Sequence, residues 1–370
     1  MRIAITGIGV VSAIGCGRTE FRENLLEGVG AIESTALPDG TLVEAALIKG
    51  FDLKNYVEAK KVYLDRNSAL AMGATVLAMR EAGCKAAPVN PARLGLSTAT
   101  TFGNMATAAA FHQKLVEKGP RLAPPLIFPH AYANATNSLL SIEFGVRGPN
   151  CNFNSGFTAG AHAIAWAAGR LAEGRADAFL AGGTEALCPE ILLGGLSDGI
   201  FGSEGFAPGE AAAMLFMETE ISATKRSATP LAFIKGMGFS SGSLDSVASA
   251  IDRAVRAAGI SARTIDVAIA GIRASGRIDC GQVEAMRKVL PADCPIIAPQ
   301  VFTGATFAVS APIDVIIAAL AASDGRYPPP IKLVDGEIRV TEEAINKNAV
   351  NTAVVSVDPN GDAVALVIGG

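Results

Sequence analysis

Uncharged apolar runs of strand length alternate along this chain with apolar residues at helical spacing, and this alternation limits the fold more than any other feature. "RIAITGIGVV" (2–11), "RLGLSTATT" (93–101) and "DAFLAGGTEA" (177–186) predict strands. They lack regular polar alternation, as expected of strands covered on both faces. Helical spacing predicts helices over 59–83, stopped by Gly83, over 105–119, ended by Gly119-Pro120, and over 158–176. The second half repeats this grammar. Helices are predicted at 245–260, 281–290 and 312–325, the last with Pro312 at its start and Gly325 past its end. Strands are predicted at 266–276 and 295–300, and "TAVVSV" and "AVALVIG" close the chain around the turn "DPNGD" (358–362). The expected class is α/β with largely parallel sheets, built as two similar halves, 1–225 and 226–370, by internal duplication.

The 370 residues are 50% hydrophobic and 18% charged, with a mean hydropathy of +0.36. This excludes general disorder and leaves apolar surface to spare for a subunit interface. A net charge of −4 without long runs of one sign argues against nucleic-acid partners and a polybasic membrane surface. The most apolar stretch, 315–323, is too short to span a bilayer and is flanked by Asp314 and Asp324, so no membrane partner is expected. Six cysteines, at 16, 84, 151, 188, 280 and 294, form no CxxC pair, the pattern of reduced thiols in a cytoplasmic protein. No cofactor or metal is expected: the glycines of "ITGIGVVSAIG" do not complete a dinucleotide fingerprint.

The segment "NFNSGFTAGAH" (152–162) reads as a turn opening onto an Ala/Gly-rich helix. A helix N-terminus stabilises an anion, so such a junction suits a nucleophile. Phe157 stands there instead and can do no acid, base or nucleophilic chemistry.

Taken together, "GIGVVSAIG", residues 145–186, "GFAPGEAAAMLFME" (205–218), "ASGRIDCGQVEAMRKVL" (274–290) and residues 299–333 resemble the β-ketoacyl synthases of the thiolase superfamily, in the same order from end to end. The resemblance implies a thiolase-like fold, a duplicated αβαβα five-layer architecture. It also implies a set of catalytic groups: a cysteine thiolate at the start of a buried helix, two histidines near the extender carbonyl, and a lysine supporting one of them. Two backbone N–H groups form an oxyanion hole, one from a C-terminal loop with a gating phenylalanine. The matching positions are Phe157 for the nucleophile, Ser275 and Ala305 for the histidines, and Gln300 for the lysine; "DPNGD" matches the loop and has no phenylalanine. Histidines occur only at 112, 130 and 162.

The resemblance therefore implies a non-catalytic subunit, a chain-length factor, in a heterodimer with an active ketosynthase. "NCNFN" (150–154) would pair across the two-fold axis, and Phe102, Met105 and Ala109 on one helical face would shape the acyl tunnel. Phe157 is expected to plug the subunit's own cavity, its burial contributing roughly 1.5–3 kcal/mol. Contact with acyl carrier protein is expected to be indirect or weak, with Arg66 and Lys60 as contributors. Two other readings stand beside this one. The first is acyl transfer or hydrolysis relocated to Cys280 or Ser275; the second is an acyl- or carrier-protein-binding module. Cys151 reads as a core residue, Ser155 as a turn hydroxyl, His162 as a core histidine and Glu185 as a buried hydrogen-bonding acid.

Overall fold

The computed structural model describes residues 2–58, 64–85, 88–202, 205–242, 245–273, 276–334 and 337–370. In the first half the principal strands are β1 (Ile3–Ser12), β2 (Leu94–Thr100), β3 (Asn150–Asn154), β4 (Ala178–Glu185) and β5 (Ala211–Thr219). In the second half they are β6 (Ala232–Ser240), β7 (Val267–Ala270), β8 (Ile296–Ile297), β9 (Thr352–Val357) and β10 (Ala363–Gly369). The first five run in the spatial order β1-β5-β4-β2-β3, the second five in the order β6-β10-β9-β7-β8. Each set begins with two antiparallel pairings and ends with two parallel ones. The same path is traced twice, and β1 joins the two sets by pairing with β6 through Ile3–Ile5.

The principal helices are α1 (Arg66–Glu81), α2 (Met105–Lys118), α3 (Ala159–Ala172), α4 (Pro189–Ser197), α5 (Asp245–Ala257), α6 (Gly276–Arg287) and α7 (Ser310–Asp324). Helix α1 starts at Arg66, where the Asp65 side chain accepts a hydrogen bond from the Asn67 N–H and caps it; of the helix expected over 59–83, residues 59–63 lie outside the described residues. The strands expected at 266–276 and 295–300 shorten to Val267–Ala270 and Ile296–Ile297. Helix α6 begins five residues earlier than the apolar spacing predicts.

Two glycine pairs mark where helices close onto the first strand of each half. A Cβ on Gly7 or Gly9 would lie 2.3 or 1.9 Å from the carbonyl oxygens of Ala78 and Ala74 in α1. On Gly236 or Gly238 it would lie 2.3 or 2.1 Å from those of Ala254 and Ala250 in α5. The glycines of "TGIGV" thus serve helix–strand packing. Helices α3 and α7 pack on each other at the centre, where a Cβ on Gly160 would sit 2.0 Å from the Ala308 oxygen. The stretch Phe307–Asp324 is apolar and long enough to cross a membrane, but 83% of it is buried inside the protein. Among the described residues none of the six cysteines is joined in a disulfide.

Candidate functional site

Phe157 lies in the turn between β3 and α3, and the loop between β9 and β10 folds over it. The backbone N–H of Phe157 donates to Asp358 Oδ2 at 2.8 Å, and Ser356 Oγ donates to the Phe157 carbonyl at 3.2 Å. Thr158 Oγ1 donates to Asp362 Oδ2 at 2.6 Å, and His162 Nε2 lies 2.9 Å from the same oxygen. Two carboxylates of "DPNGD" therefore sit on the N-terminus of α3, where the helix dipole favours negative charge. Gly156 makes room for this, since a Cβ there would come within 1.7 Å of Asp358 Oδ2. His162 stacks between Phe153 and Phe239 but is half-buried, which corrects the expectation of a core histidine, because its ring reaches out to Asp362 in the loop over α3.

The Phe157 side chain joins an aromatic cluster. Its ring centroid is 5.2 Å from Phe307 and 5.8 Å from Phe206. Phe102 meets Phe307 edge-on at 4.9 Å, and Phe201 meets Phe206 at 5.6 Å. Phe307 has φ 49°, a left-handed conformation rare for a bulky residue. These rings, with Met105 and Ile191, line an apolar cavity of about 800 Å³. The plug expected of Phe157 is thus corrected: the side chain is half-buried and forms part of the wall of an open cavity.

One charged side chain lies deep in this wall. The Arg273 guanidinium carbon sits 4.5 Å from the Phe157 ring centroid and 5.4 Å from that of Phe206. Its backbone N–H and Nη2 donate to Asp279 at 2.8 and 3.2 Å, and both side chains are buried.

The sequence-derived positions scatter around this site. Phe102 and Met105 line the cavity and Ala109 does not. Phe102 also precedes α2, which begins at Met105, so the three do not form one helical stripe. Gln300 is buried with neither amide atom bonded among the described residues. Ala305 is buried; its N–H donates to the Ala207 carbonyl at 2.8 Å and its carbonyl accepts from Gly209 at 2.9 Å. Ser275 and Lys60 lie outside the described residues. Arg66 does not serve as a free docking cation: it donates to both carboxylate oxygens of Glu210 and to the Ile48 carbonyl.

Glu185 is fully buried and accepts from Thr100 Oγ1 and the N–H groups of Thr101 and Phe102, orienting the turn that presents Phe102. Burial pushes its carboxyl up to about 7. The thiol pKa is raised at all six cysteines, first by burial. At Cys280 the carboxylates of Asp279 and Glu284 add to the effect. Such thiols are poorer nucleophiles at neutral pH. Sequence reasoning missed Phe201, Phe206, Phe307, Arg273 and the carboxylates of Asp358 and Asp362. Arg273 lies two residues before Ser275, and Asp358 and Asp362 are the acids of the same "DPNGD" that lacks a phenylalanine.

The pattern of the β-ketoacyl synthase N-terminal domain matches residues 1–223. The chain belongs to the β-ketoacyl synthase family. A relative named 3-oxoacyl-(acyl-carrier-protein) synthase 2, from Vibrio cholerae serotype O1, is 27% identical over 372 aligned positions, 91% of this chain and 89% of the relative. Among solved structures, an ishigamide ketosynthase/chain length factor superposes with a TM-score of 0.89 at 21% identity, covering 100% of this chain and 98% of the other. A β-ketoacyl synthase from Burkholderia phymatum STM815 gives 0.88 at 22% identity, covering 100% and 99%. These likenesses establish the thiolase-like fold. They also overturn the expectation of a non-catalytic subunit: the relatives are named as synthases, which points to an enzyme. The assignment of Phe157, Ser275, Gln300 and Ala305 to the family's catalytic positions rests on the resemblance alone and does not show inactivity.

Proposed function

We propose that the chain works as one subunit of a β-ketoacyl synthase assembly, paired with a ketosynthase of its own fold, and that its cavity holds the acyl chain and sets its length. The observation that carries this reading is the phenylalanine-lined cavity of about 800 Å³ at the N-terminus of α3. Its apolar wall suits an alkyl chain.

Pairing is supported by β3. This strand ends the sheet order and is bonded only to β2 among the described residues, leaving its other edge for a second chain. Leu122, Leu126, Tyr132 and Ile142, all in the segment preceding β3, expose large apolar side chains, with Ile142 at 79%. The ketosynthase/chain length factor and the acyl-carrier-protein synthase among the similar proteins fit a ketosynthase partner and an acyl-carrier substrate. Chemistry relocated to Cys280 has no such support, given its raised thiol.

The test is co-expression with a ketosynthase encoded beside it. A stable one-to-one complex is expected, with 3-oxoacyl products whose length changes when Phe102 or Met105 is altered. Failure to form a complex, or product lengths indifferent to both residues, would overturn the reading.

A further inference from the structure

We infer that Arg273 recognises a carbonyl oxygen of the bound chain, so that the cavity selects a neutral, carbonyl-bearing apolar chain over a carboxylate. This rests on the reading of the cavity as an acyl site. The guanidinium spends its Nη2 on Asp279, while Nε and Nη1 are buried with no acceptor among the described residues. Buried donors without partners are costly, more so on a permanent cation. The faces of Phe157 and Phe206 offset part of that cost. They supply no lone pair, so an acceptor entering the cavity removes the rest. The Phe157 ring that covers the guanidinium is half-buried and borders open cavity, so a ligand has room to displace it.

Charge decides what kind of acceptor fits. Asp279, fully buried, already balances the cation. Glu190 and Asp198 are exposed residues of the same cavity wall. A carboxylate ligand would be stripped of water, face a neutralised guanidinium and pass two acidic side chains. A thioester or ketone oxygen meets none of these penalties and gains a charge-assisted hydrogen bond.

Calorimetry on the full chain with three probes tests this: decanoyl N-acetylcysteamine thioester, the decyl thioether that lacks the carbonyl, and decanoate. The thioester is expected to bind about tenfold more tightly than either of the others. The paired change Arg273→Met with Asp279→Asn, which leaves no buried orphan charge, is expected to make thioester and thioether equal. Equal binding of these two by the unaltered protein overturns the role of Arg273 and leaves the acyl cavity standing, as does a preference that survives the paired change. Tighter binding of decanoate also overturns it, in favour of an anion site. Binding of none of the three overturns both readings.

Discussion

The backbone N–H of Phe157 is hydrogen-bonded at 2.8 Å to the carboxylate of Asp358, 201 residues further along the chain. The turn that leads into α3 is thus held by an acid of the chain itself, delivered by the hairpin between β9 and β10. Removing that acid by Asp358→Ala is expected to cost about 1 kcal/mol in urea unfolding, the usual net worth of a hydrogen bond. Gly156→Ala evicts the same carboxylate sterically. The double variant should therefore lose little more than the worse single one, and simple additivity would show that the two residues do not share this contact.

Installing a thiol by Phe157→Cys should not produce a reactive nucleophile. The neighbouring carboxylate opposes thiolate formation by like charge, and it already occupies the backbone N–H of residue 157. Alkylation of the new thiol by iodoacetamide, followed by peptide mass spectrometry, is expected to be slow. Asp358→Asn in the same background should speed it about tenfold, the effect of roughly one unit in thiol pKa. Fast alkylation without that second change would contradict the arrangement.

Met105 and Ala109 separate two views of chain-length control. Met105 lines the cavity and Ala109 does not. With a ketosynthase partner, Met105→Trp should shorten the products, while Ala109→Phe should leave them unchanged. Shortening by Ala109→Phe alone would place the measuring surface elsewhere on α2.

Glu185 gives the stability a pH dependence of known sign. Its carboxyl is raised from 4.5 to about 7, chiefly by burial against the pull of three hydrogen-bond donors. Between these values the folded protein keeps a proton that the unfolded chain has lost. The group's contribution is complete below pH 4.5 and is lost as pH rises through about 7. Between pH 5 and 8 the protein should lose up to about 3 kcal/mol more than its Glu185→Gln variant, by urea unfolding at each pH. Parallel pH profiles would mean that Glu185 is ionised throughout.

Much of the architecture is legible in local pattern. The apolar runs at 2–11 and 177–186 become β1 and β4, and the spacing of 105–119 becomes α2, stopped by Gly119 at φ 74°. Backbone chemistry and nearest neighbours decide these elements, so a short window contains the information. Element limits are less legible where a side chain competes, as at Asp65, or where a strand is cut short by the loop that follows, as after Ala270.

By itself the sequence determined most of the order of strands and helices, and the family. It also placed Glu185 as a buried acid. Only the tertiary structure decided what replaces the nucleophile's surroundings. Asp358 reaches the turn before α3 from the far end of the chain, Arg273 lies beneath Phe157 from the second half, and Phe201 and Phe206 from one segment meet Phe307 from another. The reason is physical: a site at the junction of duplicated halves is built from contacts far apart in sequence. Whether a phenylalanine there fills a cavity or walls one depends on how far the opposite elements stand away.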